Sequence, residues 1–259
     1  MEIIKDQLGR SVQLDQPSRI VSLVPSQTEL LVYLGLENKL LGVTKFCVFP
    51  EHLRKEKVVV GGTKKIDIDK IRQLKPDIIL CNKEENTQEI VSACEAIAPT
   101  HVSEVKTLEE AYEMMTQYGL IFNQVEKAQN LLNELKIKEK QFKKHISSKC
   151  PKKVAYMIWR SPWMVAGHNN FINSLLKLMK LENMFSNRES RYPEIELNEL
   201  QDADLILLSS EPFPFKKKHI AEIRKYTNAQ IVLVNGTYFS WYGSRLLQSY
   251  DYFMQQRFF

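Results

Sequence analysis

The chain has 259 residues, 44% of them hydrophobic, 26% charged and 10% aromatic, a balance that excludes a disordered tail or a fibrous repeat. It leaves room for one large α/β domain or for two lobes of roughly 110 to 130 residues. No apolar run reaches the ~18 residues of a membrane-spanning helix, the longest candidates being broken by Pro25, Gly35 and Asp77. The net charge of +5 comes largely from lysines between Lys136 and Lys153 that follow a helical register without interleaved exposed aromatics. That is a solvated helix face, and no nucleic-acid partner is expected.

In chain order, Ile20 to Val24 is a short β-branched strand, and Pro25 with Ser26-Gln27-Thr28-Glu29, a capping-box pattern, opens a helix that ends at Gly35. Leu40 to Val43 and Val58 to Val60 are further strands. Asp67 can cap a helix carrying Ile68, Ile71 and Leu74, which Lys75-Pro76 stops. Asp77 to Cys81 has the unbroken apolar character of a strand buried on both faces, and Asn86 with Glu89 opens another helix through Ala96. From Thr107, with Glu110 three residues on, helical spacing continues to about His145 with Gly119 its only weak point. A pattern near 40 residues exceeds an ordinary helix and predicts one lobe-closing helix followed by a connecting one.

After Cys150-Pro151 the alternation restarts: a strand at Lys153 to Ile158, a helix around Phe171 to Met179, strands at Ala203 to Leu208 and Ile231 to Val234, and a terminal helix near Arg245 to Phe253. LKPDIIL at 74–80 and LQDADLILL at 200–208 echo one another, each running from a short helix through an aspartate into an apolar strand. The expected division is a lobe at 1–121, a linking helix at 122–150 and a second lobe at 151–259.

Catalytic signatures are absent. The chain has no GxGxxG, GxxxxGK[ST] or GxSxG, and its five histidines form no HExxH, so neither catalysis nor a metal site is expected. Cys47, Cys81, Cys94 and Cys150 lack disulfide or zinc spacing and are expected to be buried free thiols. The opening residues Met1 to Asp6 contain no apolar segment of a secretory leader, and no cysteine precedes Cys47 to carry a lipid. A cytoplasmic protein and a trimmed leader are both left open.

The aromatics are placed more tellingly. Phe46 and Phe49, Trp159 and Trp163, Phe213 and Phe215, then Tyr238, Phe239, Trp241 and Tyr242 all follow strands, where open α/β sheets bind ligands. Mixed with Ser26, Gln27, Asn82, Ser161 and Asn235, they suit a bulky, partly apolar ligand edged with polar groups.

DQLGRSVQL and RIVSLVPSQTELLVYLGLENKLLGVTKFCVFP, followed by VGGTKKIDIDKIRQLKPDIIL, resemble the helical-backbone substrate-binding proteins of ABC importers that take cobalamin, haem and ferric siderophores. The match is nearest the cobalamin branch, and RYPEIELNELQDADLILLSSEP and VNGTYFSWYGSRLL continue it in order. The resemblance implies two Rossmann-like α/β lobes joined by a single long helix, a metal-chelate ligand in the cleft between them, ABC permease subunits as partners, a monomer, and a periplasmic or other extracytoplasmic location. It implies no cofactor beyond the ligand, a corrinoid or another metal chelate. Phe46 falls where cobalamin binders place a tyrosine, Tyr192 where they place a tryptophan, Met164 at a phenylalanine and Thr63 at a tryptophan. The loop Thr237 to Trp241 stands where the family has Asp-Trp-Phe-Glu-Arg.

The ligand-binding set expected on this basis is Pro25, Ser26, Phe46, Thr63, Trp159, Arg160, Trp163, Met164, Tyr192, Phe213, Tyr238, Phe239, Trp241 and Tyr242. Arg160, Arg191 and Arg245 would serve an anionic siderophore or haem instead. Asp69 matches an acidic permease-docking residue of the first lobe, and Glu199, flanked by Asn198 and Glu196, the second. A cytoplasmic α/β enzyme or corrinoid-handling protein is the competing reading.

Overall fold

A computed structural model describes residues 2–256 and 258. Among them no helix is long and apolar enough to cross a membrane. The chain forms two compact α/β units. The first comprises residues 1–105, 109–134 and 242–245, and the second comprises 106–108, 135–241 and 246–259.

The first unit opens with a hairpin, β1 (Glu2–Lys5) and β2 (Ser11–Leu14), paired antiparallel. Its turn is organised by the buried Asp6, whose carboxylate accepts from the backbone N–H of Leu8 and Arg10 at 3.0 Å each and pairs with the Arg10 guanidinium. Gly9, at φ +76°, supplies the left-handed step. A parallel sheet follows, built from β3 (Ile20–Ser22), β4 (Leu40–Val43), β5 (Val58–Val59), β6 (Ile78–Asn82) and β7 (Thr100–Ser103) in the order β5-β4-β3-β6-β7. Its core joins Val21, Leu23, Ile71, Ile79, Ile90 and Val102.

The second unit contains β8 (Lys152–Trp159), β9 (Met164–Val165), β10 (Leu181–Asn183), β11 (Leu205–Ser209) and β12 (Gln230–Val234). The parallel order is β10-β8-β11-β12, and β9 pairs antiparallel with β8. Ala155, Met157, Ile206, Leu208 and Ile223 are central to its core.

The sequence echo has a structural counterpart. Asp77 Oδ2 accepts the backbone N–H of Ser18 and Arg19 just before β3, and Asp204 Oδ2 accepts that of Lys153 at the start of β8. In each unit the aspartate preceding a central strand fixes the start of its neighbour. Both sheets then run outward in two directions from their first parallel strand, placing a topological switch point between β3 and β6 and another between β8 and β11.

Several local expectations are corrected. Ser26 does not cap its helix. Pro25–Tyr33 begins at the proline with Val24 as N-cap and no side-chain cap, because proline's fixed φ and missing N–H suit the first turn. Thr87, not Asn86, caps the helix Gln88–Glu95. Asn86 instead accepts from the Asn82 N–H and donates to the Thr63 carbonyl. Asp67 does cap Ile68–Leu74, accepting from the Lys70 N–H.

The long helical pattern divides into Leu108–Ile121 and Val125–His145, with the break at Asn123 (φ +53°) and not at Gly119. A Cβ at Gly119 would lie 2.7 Å from the Ala128 Cβ, so the glycine lets successive helices approach. The second helix starts in the first unit and continues into the second. Cys47, Cys81 and Cys94 are buried free thiols, whereas Cys150, in the polar stretch after His145, is exposed.

Candidate functional site

In the second unit, the loops leaving the carboxyl ends of β8 and β11 bring four aromatic rings into one chain of contacts. Trp159, the last residue of β8 and 39% exposed, meets Phe213 edge-on at 5.8 Å. Phe213 packs against Phe215 at 4.8 Å, and Phe215 lies nearly parallel to Trp163, with centroids 6.2 Å apart and an 11° angle between planes. These rings flank the β8–β11 switch point, where an open parallel sheet offers its ligand crevice. Phe215 is buried and supports Phe213 and Trp163.

Polar groups border the rings. Arg160 lies 5.6 Å from the Trp163 centroid and is held by two hydrogen bonds to Glu222, Nε to Oε2 at 3.0 Å and Nη2 to Oε1 at 2.9 Å. That contact raises the arginine pKa and lowers the carboxylate's. The expectation of a guanidinium free for an anionic ligand is thereby corrected. His219 packs on Phe213 and Phe215, and its Nδ1 accepts the Lys216 N–H at 2.8 Å, which places the proton of the neutral ring on Nε2. Desolvation, followed by repulsion from Lys218 and Arg160, lowers its pKa.

Met164 and Tyr192 are half-buried: Met164 begins β9 and bridges to Glu194, while the Tyr192 N–H donates to Ser190 Oγ. The segment after β12 departs from expectation. Phe239 is fully buried against Tyr156 at 5.0 Å and Phe253 at 4.9 Å, so it belongs to the core. Trp241 is also buried, and its Nε1–H donates to Glu211 Oε1 at 3.1 Å, an acceptor shared with the Ser240 hydroxyl. Tyr238 stacks on Tyr252 at 4.5 Å and is half-buried. Indole and phenyl faces are thus consumed internally where the sequence pattern placed them toward a ligand.

In the first unit Phe46 is 47% exposed, with Lys45 Nζ 5.0 Å from its ring centroid and the backbone of Gly62 against its edge. Thr63 is half-buried, and its carbonyl is held by Asn86. Pro25 and Ser26 are buried in the first turn of their helix. Tyr242 is buried, and burial, followed by Glu85 and Glu84, raises its pKa. These three support the wall and do not present an open face.

A buried polar relay that the aromatic pattern did not expose lies behind them. The Tyr118 hydroxyl donates to Gln27 Oε1 at 2.7 Å, Gln27 Nε2 donates to Ser103 Oγ, and Asn82 Nδ2 donates to the same hydroxyl at 3.0 Å. The signal available was polar residues at strand and helix positions that should otherwise be apolar. Arg245, read as available to a ligand, is likewise buried and paired with Glu29.

Asp69 is exposed in the first turn of Ile68–Leu74 and paired with Arg72. Glu199 pairs with Arg188 and accepts the Glu196 N–H at 2.9 Å.

Residues 20–230 match the model of the family described as Periplasmic binding protein. The chain is 29% identical over 176 residues to an uncharacterized ABC transporter substrate-binding lipoprotein, YvrC, of Bacillus subtilis, covering 65% of this chain and 55% of that protein. The chain therefore spans little more than half the length of that relative. Among solved structures, the periplasmic vitamin B12 binding protein BtuF of Vibrio cholerae superposes with a TM-score of 0.75 at 21% identity, covering 92% of this chain and 95% of that one. A periplasmic heme binding protein from Pseudomonas aeruginosa gives 0.78 at 20% identity, covering 92% and 91%. At these identities the superpositions establish a shared fold.

Proposed function

The chain belongs to the periplasmic binding protein family, and from that premise we propose that it is the extracytoplasmic substrate-binding component of an ABC importer, taking a corrinoid-like metal chelate. The observation that carries this reading is the cluster of Trp159, Trp163, Phe213 and Phe215 at the β8–β11 switch point. Binding comes from covering macrocycle surface with aromatic faces, worth roughly 25 cal/mol per Å² of apolar area, with bordering polar groups fixing orientation. No bond is made or broken in this role. The first unit separately carries an exposed ring, Phe46.

Titration with cyanocobalamin, followed by tryptophan quenching and corrin absorbance, tests the proposal. A saturable one-to-one change supports it, and none up to millimolar ligand overturns it. A second reading, haem or a ferric siderophore, is favoured by one feature, the exposed Lys216–Lys218 run next to the Phe213–Phe215 ring pair. Saturation by an anionic chelate with no response to cyanocobalamin selects it.

Delivery to a permease fits Asp69 and Glu199 as acidic contacts whose exposed arginine partners, Arg72 and Arg188, can exchange for arginines of another protein. Such rim charges steer association more than they add affinity. Charge reversal at Asp69 should slow complex formation with the cognate permease and leave ligand affinity unchanged.

A further inference from the structure

Away from the aromatic cluster, the first unit gathers one imidazole and two carboxylates that the sequence reading did not treat as a set. His52 directly precedes the short helix Leu53–Glu56, whose Glu56 N–H donates to the His52 carbonyl, so both side chains share one helical face. Glu37 comes from the 3₁₀ turn Glu37–Lys39, and its Oε1 lies 2.7 Å from His52 Nε2. One ligand atom from each of Glu37, His52 and Glu56 lies within 4.8 Å of the other two.

The backbone holds this grouping in place. Glu37 sits three residues before β4 and Glu56 two residues before β5, and these strands are parallel neighbours. Both carboxylates therefore emerge at the amino ends of the strands, the opposite end from Phe46 and Thr63. Leu53, fully buried, anchors the helix that carries His52 and Glu56.

We propose that Glu37, His52 and Glu56 form a surface site for a divalent transition-metal ion of the zinc type. A mixed imidazole and carboxylate set suits Zn²⁺ better than the all-oxygen ions Mg²⁺ and Ca²⁺. Tetrahedral coordination with bonds of about 2.0 to 2.2 Å separates ligand atoms by about 3.3 to 3.6 Å. The His52–Glu37 pair, at 2.7 Å, needs to open by about 0.6 to 0.9 Å, and the Glu56 carboxylate needs to swing inward. Three protein ligands leave the fourth position to water. A bound ion ties the 3₁₀ turn to the helix at the β4–β5 edge and screens the repulsion between Glu37 and Glu56. Lys39, Arg54, Lys55 and Lys57, close in sequence, moderate the attraction for a cation.

The test is calorimetric titration of the full chain carrying Cys150→Ser, which removes the exposed thiol, with Zn²⁺, and absorbance with Co²⁺ as a spectroscopic substitute. The expected result is one ion per chain, visible Co²⁺ bands of four- or five-coordinate type, and no competition from tenfold Mg²⁺ or Ca²⁺. Glu37→Gln, His52→Gln and Glu56→Gln should each weaken binding by about tenfold or more, with circular dichroism unchanged because these are surface positions. His145→Gln, an exposed histidine elsewhere, should have no effect. Non-saturating binding, or a stoichiometric ion that His52→Gln leaves in place, overturns the proposal.

Discussion

The Arg245 guanidinium is paired with the Glu29 carboxylate, Nε to Oε2 at 2.9 Å with a second contact from Nη2, and sits over the Phe49 ring with Cζ 4.0 Å from the centroid. The two side chains are only 6% and 15% exposed, so neither charge can be recovered by water if the other is removed. Burial raises the Glu29 pKa despite the opposing pull of Arg245. Glu29→Ala should destabilise the first unit by about 3 to 5 kcal/mol, because it strands a buried cation. Replacing both partners with apolar residues should restore most of that loss. Urea unfolding of the single and double variants measures both, and a Glu29→Ala loss under 1 kcal/mol would contradict the burial argument.

Phe239 belongs to the core by its contacts with Tyr156 and Phe253. Phe239→Ala should therefore lower stability by about 3 to 5 kcal/mol while leaving the affinity of the folded protein for its chelate within a few-fold. Thermal unfolding together with a binding titration well below the melting temperature separates the effects. Intact stability with lost binding would return Phe239 to the ligand surface.

Trp163 has the opposite expected profile. It is half-buried, with Phe215 behind it and Arg160 beside it. Trp163→Ala should cost about tenfold or more in chelate affinity, equivalent to about 1.4 kcal/mol, and Trp163→Phe should retain part of it. Measured dissociation constants for the two variants that match the native chain would remove this ring from the binding surface.

His101 on β7 supplies a pH dependence. It is fully buried, with Nε2 3.1 Å from Gln117 Oε1 and no hydrogen-bond partner at Nδ1 among the described residues. Burial lowers its pKa below the ordinary 6.5, against smaller opposing contributions from Gln117 and Asp6. Below 6.5 the unfolded chain takes up the proton first, so the unfolded state binds more protons and stability falls as the pH drops toward the lowered folded value. His101→Gln should flatten part of that slope. Melting temperatures recorded between pH 7 and pH 5 would show identical slopes if His101 were already charged in the native state.

The alternation of strands and helices was legible because β6 and β11 are apolar throughout and buried along their whole length. β7 was not, since Thr100-His101-Val102-Ser103 reads as polar although all four residues are buried. Its polar side chains are satisfied by partners distant in sequence, as Ser103 is by Gln27 and Asn82. The β1–β2 hairpin escaped for another reason: four-residue strands around Asp6 and Gly9 carry too short a pattern to stand out. At the candidate site, the sequence located the aromatic loops, but it could not distinguish Trp163, which faces outward in part, from Trp241, whose indole N–H is taken by Glu211. The metal-ligand set was invisible as a motif because Glu37 and His52 are fifteen residues apart and meet only through β4 and β5.

The four residues 242–245 belong to the first unit although nearly the whole second unit precedes them in the chain. This imposes an order on biosynthesis. A ribosome that has released residues 1–134 has not yet supplied Tyr242 or Arg245, and until they emerge Glu29 waits without its cation and the wall beside Gln27 without its phenol. The first unit is thus completed almost last, and a fragment ending at the linking helix would carry a standing defect that no rearrangement within it can repair.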